Sequence, residues 1–254
     1  MASARVESLR LYPVKGFAGA DTEAARISDS GTLEHDREFA LYDDEVLNGR
    51  ETEAVYGYTA SVTPSGTLAV ESPHGEGVVV GFDDEGRRRL EGWLDRSGLD
   101  ATVLREDGVG FVDRRDRLAS VSVVSTGTVR EVASWFDGVD PDGMRRRLRM
   151  NVEVSGVEAF WEDGFAGGDA PDLSVGGVRL EGVEPCNRCV VPTRDPDTGE
   201  VTNGFREAFI EGRRPTVPDR EPFDRDYNVG LICRVADEDR GSSTLRVGDI
   251  VEEM

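Results

Sequence analysis

Short runs of alternating apolar and polar residues, each cut off by Gly, Pro, Asn or Asp, recur along the chain. They include VESLRLYPV (6–14), REFALYDDE (37–45), YTASVTPSGTLAVESP (58–73), GVVVGF (77–82) and LSVGGVRLEG (173–182). YNVGLICRVAD (227–237) and TLRVGDIVEE (244–253) continue the pattern to the end. A two-residue period between turn formers predicts half-buried strands. Pro64-Ser65-Gly66 and Gly176-Gly177 predict hairpin turns between them. The three-to-four-residue period is rarer. TVREVASWFDGV (128–139) sets Val129, Val132, Ala133 and Phe136 on one helical face behind a capping box from Thr128 to Glu131. GRRRLEGWLDRSG (86–98) and GFREAFIEG (204–212) predict two further short helices, each closing at a glycine. The pattern is mainly β with a few short helices (α+β), which suggests β-barrels. A boundary falls near 108–117, where DGVGFVDRRDR interrupts the apolar runs. It divides the chain into a smaller domain, 1–110, and a second, 111–254.

Composition narrows the function. At 254 residues and 37% hydrophobic, the chain can bury one large core or two small ones. The N-terminus carries no apolar signal region, and no run approaches the roughly 18 apolar residues of a membrane span. Three cysteines without a signal peptide indicate a reducing, cytoplasmic setting and no disulfide framework. A net charge of −21 excludes a nucleic-acid binder, which needs a basic face to neutralise phosphates. Lys15 is the only lysine, so 29 of the 30 basic residues are arginine. A dispersed acidic surface almost without lysine indicates adaptation to high salt, where self-repulsion is screened. The runs RRR (87–89) and RRRLR (145–149) read as solvated cationic patches, Arg149 excepted.

The candidate chemistry sits in EPCNRCVVPTRDPDTGE (184–200). Cys186 and Cys189 fit four readings. A structural zinc site needs four Cys or His ligands, and the chain has three Cys and two His, His35 and His74, widely scattered. A thioredoxin-like dithiol needs a helix opening at its first cysteine, but Val190-Val191-Pro192 follows the pair. Two small buried thiols is the third reading. The fourth is a single thiolate ligand: on an extended segment, residues three apart point to opposite faces, so one thiol faces a given pocket. A lone thiolate is a soft donor suited to a redox-active transition metal.

The cysteine segment, together with YNVGLICRVADEDRGSSTLRVGDIV (227–251), resembles the MOSC domain, the molybdenum cofactor sulfurase C-terminal domain. LRLYPVKGFAG (9–19) and EHDREFALYDD (34–44) resemble the N-terminal MOSC β-barrel domain, in the order of the amidoxime-reducing component and its bacterial relatives. The resemblance implies a molybdenum cofactor (Mo-molybdopterin), with Cys189 as metal ligand and catalytic residue and Cys186 either structural or a neighbour supporting the ligand. It carries cofactor contacts to Lys15 and Arg37, and, through the Arg-x-Asn segment, to Arg149 and Asn151. It implies reduction of N-hydroxylated small molecules. Too few cysteines remain for an iron–sulfur cluster, so an external electron-donor protein is expected. Two alternatives stay open: a cofactor or sulfur carrier with Cys189 as persulfide acceptor, and a β-barrel scaffold without metal. A need for one compact ammonium charge at the cofactor accounts for the survival of the sole lysine in the matched segment.

Overall fold

The computed structural model describes residues 3–106, 108–113 and 116–254. Its first part supplies β1 (Arg5–Leu11), β2 (Ala20–Thr22), β3 (Ala24–Arg26), β4 (Phe39–Asp43), β5 (Glu45–Leu47), β6 (Thr59–Val62), β7 (Leu68–Glu71), β8 (Gly77–Val80), α1 (Asp84–Arg96) and β9 (Thr102–Arg105). The rest supplies β10 (Val121–Ser125), α2 (Thr126–Ala133), α3 (Pro141–Leu148), β11 (Val152–Ser155), β12 (Leu173–Val175), β13 (Val178–Asn187), α4 (Phe205–Arg213), β14 (Asn228–Val235), β15 (Thr244–Arg246) and β16 (Val251–Glu253). The mainly β class with few short helices is what the alternation predicts.

Two three-stranded sheets, β5-β4-β9 and β6-β7-β8, close with α1 over a core that includes Phe39, Leu68, Leu90 and Leu94. An eight-stranded sheet runs β16-β12-β13-β14-β10-β11-β1-β2. Both hairpin turns are present, joining β6 to β7 and β12 to β13. The sheets are open as ladders, not closed barrels. The large one comes nearest to closure: Val6 N donates to Asp249 O (2.9 Å), Gly248 N to Val6 O (2.8 Å) and Val251 N to Ala4 O (2.9 Å), joining its two ends. Its interior packs Val6, Leu9 and Ile27 from the start of the chain against Val123, Leu180 and Val235. The first strand thus lies in the large sheet, and the stretch near 108–117 connects β9 to β10. Asp107, Arg114 and Arg115, which lie in or beside that stretch, are outside the described residues.

β10 and β11 pair in parallel, which demands a crossover, and α2 with α3 provides it. This pair packs with α4 around Val129, Met144, Leu148, Phe205 and Phe209. The consequence for the site is positional: α3 ends at the rim of the sheet, where the chain turns sharply into β11.

Three local expectations are corrected. α2 begins at Thr126, with Ser125 as N-cap accepting from Thr128 N (2.9 Å), because Ser125 ends the buried strand β10 with its hydroxyl free to cap. Phe136 lies beyond this helix but stacks on Phe205 at 4.2 Å. α1 ends before Gly98 (φ 87°), as expected, whereas α4 runs through Gly212 to Arg213, since Arg213 is fully buried and bonded to Asp163 (2.6 Å). The run RRRLR is not a solvated patch. It is α3, capped by Asp140 ahead of Pro141, and Arg147 within it is buried.

Candidate functional site

A cavity of about 270 Å³ opens where the small sheets meet α3 and the cysteine segment. Among the described residues, eight arginines and Lys15 line it, against a single carboxylate, Asp113. In a chain of net charge −21, this clustering is a local inversion of sign. Concave walls of low dielectric focus such a field, so the cavity attracts anions although the surface repels them.

The backbone builds the first wall. Lys15 N donates to Phe39 O (2.8 Å), Arg37 N to Tyr12 O (2.8 Å) and Phe39 N to Pro13 O (3.0 Å). Lys15 and Arg37 are thereby set on adjacent, mutually bonded segments. Arg37 has left-handed backbone (φ 57°), and its guanidinium pairs with Asp36 and lies 5.0 Å from the Tyr12 ring centre. Lys15 Nζ pairs with Asp113, with its side chain only 11% exposed.

The opposite wall comes from α3. Arg149 is its left-handed C-cap (φ 55°), which swings the side chain back over Tyr12, 4.4 Å from the ring centre. Its Nη2 donates to Phe17 O at 2.7 Å. Two cations thus pack on one aromatic ring, which disperses their charge. Burial pushes the Arg149 pKa below the ordinary arginine value and the Tyr12 pKa above the ordinary tyrosine value. Asn151 does not line the cavity. It is buried behind Met150, where Ser122 Oγ donates to its Oδ1 (2.8 Å) and its Nδ2 donates to Arg10 O (3.1 Å). It ties β11 to β1 and β10, so it holds Arg149 in place from behind.

The cysteine segment forms the floor. β13 ends at Asn187, and a 3-10 turn follows at Val191–Thr193. Strand alternation therefore stops between the two cysteines, and both Cys186 and Cys189 line the cavity as free thiols. The expectation that only one would face the pocket fails for this reason. Their surroundings still differ. Arg188 Nη1 lies 2.9 Å from Cys186 Sγ, and its Nη2 donates to Leu148 O. Cys189 shares the cavity with Arg50, which belongs to the turn after β5. Arg147 binds the turn to α3 through Pro192 O (3.1 Å) and Arg194 O (2.6 Å). The acidic loop that follows is an Asx-type turn: Asp195 Oδ1 accepts from Asp197 N and Thr198 N, both at 3.0 Å.

The wall is incompletely satisfied. The buried Nε atoms of Arg188 and Arg194 have no hydrogen-bond partner. A buried donor left unpaired costs about 1–3 kcal/mol, and an anionic ligand relieves it. Among the described residues no three His, Cys, Asp or Glu side chains converge as a metal cage. A metal at Cys189 would need its remaining ligands from a cofactor. The donor set and the cations fit an anionic, phosphate-bearing metal cofactor on these grounds.

Of the cations, sequence reasoning selected Lys15, Arg37 and Arg149. It missed Arg10, Arg50, Arg146, Arg147, Arg188 and Arg194. Asp140-Pro141, an N-cap followed by proline at the first helical position, was a legible signal for α3 and hence for Arg147. Nothing in the spacing marked Arg50.

Family models match the chain twice: a "MOSC N-terminal beta barrel domain" over residues 3–139 and a "MOSC domain" over residues 116–252. Mitochondrial amidoxime reducing component 2 of Rattus norvegicus is 47% identical over 108 residues, which is 42% of this chain and 29% of that protein. The Homo sapiens component 2 is 34% identical over 108 residues, 42% of this chain and 30% of the relative. The chain therefore matches under a third of the length of these curated relatives. Among solved structures, the YUAD protein of Bacillus subtilis aligns over 98% of this chain and 94% of its own, at 15% identity and a TM-score of 0.43.

Proposed function

Since this chain belongs to the MOSC family, matched by the models of both its N-terminal barrel and its MOSC domain, we propose that it holds a molybdenum cofactor in the cationic cavity and reduces N-hydroxylated small molecules with electrons from an external donor. The observation that carries the reading is the cavity itself: two free thiols, Cys186 and Cys189, in a pocket lined, among the described residues, by nine cations and one carboxylate. The names of the amidoxime reducing relatives support the choice of reaction.

In this reading Lys15, Arg37 and Arg149 hold the phosphate and pterin, and Cys189 is the protein's ligand to the metal. The bound cofactor would supply the two-electron redox chemistry. The substrate R–C(NH2)=N–OH takes up two electrons and two protons; its N–O bond breaks, and an amidine and water leave. The chain's own part is orientation and electrostatics. Arg37 and Arg149, packed on Tyr12, present fixed positive charge at no reorganisation cost. Arg147 fixes the turn behind Cys189, so the sulfur does not wander. Arg188 holds the Cys186 sulfur, which leaves Cys189 as the thiol available to a ligand. Among the described residues no helix is long and apolar enough to cross a membrane.

Protein purified from a cofactor-producing host, supplied with reduced viologen and benzamidoxime, tests the reading. Benzamidine should form, followed by chromatography, and Cys189→Ser should form none. Molybdenum-replete protein that turns over no N-hydroxylated compound, yet carries a persulfide on Cys189, would replace it with the carrier function.

A further inference from the structure

The cations of the cavity are not equivalent. Most are already committed: Arg146 to Asp197 (3.0 Å), Arg194 to Glu53 (2.9 Å), and Arg147 and Arg149 to backbone carbonyls. Arg50 differs in three ways. Its side chain is 39% exposed, against 15% for Arg37 and 11% for Lys15. It lines the same cavity as the Cys189 thiol but comes from the turn after β5 rather than from α3 or the cysteine segment. Its one ion pair among the described residues, with Asp113 at 3.1 Å, is to a carboxylate that is itself 41% exposed and shared with Lys15. An exposed pair of this kind is worth at most about 1 kcal/mol, so a competing carboxylate can exchange into it.

The position of Arg50 is also built. The turn that carries it is closed by Asn48, whose Oδ1 accepts from Arg50 N (2.9 Å) and whose Nδ2 donates to Val46 O (3.2 Å). Tyr56 donates its hydroxyl to Gly49 O at 3.1 Å, and a Cβ at Gly49 would meet that hydroxyl at 2.5 Å. A side chain at that position would displace the Tyr56 ring. A loose surface arginine has no such support.

From this geometry we infer that Arg50 is a substrate-recognition residue, and that the substrate is an N-hydroxylated molecule bearing a carboxylate. This rests on the reductase reading above and specifies its substrate class. The N–OH group is directed to Cys189 and the carboxylate takes the place of Asp113 on the Arg50 guanidinium. Selection then comes from a charge-assisted hydrogen bond at the mouth, in a cavity whose field already favours anions.

The experiment compares benzamidoxime with 4-carboxybenzamidoxime on cofactor-loaded protein, and in parallel titrates benzamidine and 4-carboxybenzamidine calorimetrically, which needs no turnover. The carboxylated compound should have the higher kcat/KM, by about tenfold to a hundredfold, and the tighter binding. Arg50→Gln should bring both ratios toward one, and Arg50→Lys should restore part of each. Asp113→Asn, which frees Arg50, should move them the other way. Turnover with equal ratios in wild type and Arg50→Gln overturns the recognition role and leaves the reductase reading intact. Absent turnover with an Arg50-dependent binding preference keeps the anion site and removes the reductase reading. Loss of molybdenum from Arg50→Gln would place Arg50 in the cofactor cradle and overturn the inference.

Discussion

Replacing Arg149 with alanine separates a ligand-binding arginine from a structural strut. The substitution removes the bond to Phe17 O and the packing on Tyr12. Charge-assisted hydrogen bonds contribute about 1.5–3 kcal/mol. Cation–π packing in a desolvated site adds about 2 kcal/mol. Against this stands the desolvation of a guanidinium that no carboxylate among the described residues bonds directly, a cost of several kcal/mol and the reason its pKa is pushed down. Both residues are L-amino acids at φ 55°, so backbone strain nearly cancels. The terms offset to within about 1 kcal/mol, and cofactor-free Arg149→Ala should melt close to wild type. Its ligand affinity should not survive so well. An anion that relieved the buried charge loses about 1.5–3 kcal/mol, or roughly tenfold to a hundredfold. Urea unfolding of the cofactor-free proteins, with molybdenum and pterin content after expression in a cofactor-producing host, reads both quantities. Destabilisation above about 3 kcal/mol with unchanged cofactor content would refute the argument and make Arg149 a strut between the two parts of the chain.

Three further outcomes are expected. Cys189→Ser should abolish molybdenum retention while Cys186→Ser keeps part of it, since Arg188 bonds the sulfur of Cys186; equal loss in two folded variants would indicate a paired-cysteine site. Burial beside the N-terminus of α2 raises the Glu162 pKa from 4.5 to about 7. The folded state therefore holds this proton more tightly: its stabilising contribution is full below about pH 4.5 and is lost as pH rises through about 7. Wild type minus Glu162→Gln unfolding free energies should fall by about 3 kcal/mol across that window, and a flat difference would contradict the burial argument. Stability should rise between about 0.1 M and about 1 M salt, as the Debye length shrinks from about 10 to about 3 Å and repulsion within a −21 chain is screened; a flat or falling Tm would remove the case for salt adaptation.

What the sequence determined by itself was local. Alternation marked the strands, because the side-chain period of two is a property of the backbone wherever one face is buried. Pro64-Ser65-Gly66 and Gly176-Gly177 marked their hairpins for the same kind of reason. Lys15, Arg37, Arg149 and Cys189 were legible through segments that resemble known ones, and all four line one cavity. Asn151 came with them but faces the interior, because β11 begins there and its amide is consumed by Ser122 and Arg10. Tertiary structure decided the rest. Only the parallel pairing of β10 with β11, and the crossover it demands, brings α3 to the sheet rim and turns a run of arginines from surface into cavity wall. Only the end of β13 at Asn187 puts both cysteines in the same pocket. Arg50 shares a cavity with Cys189 from 139 positions earlier in the chain, a distance along the sequence over which no local propensity acts. Its role depends on where two sheets meet, and the packing of their cores fixes that.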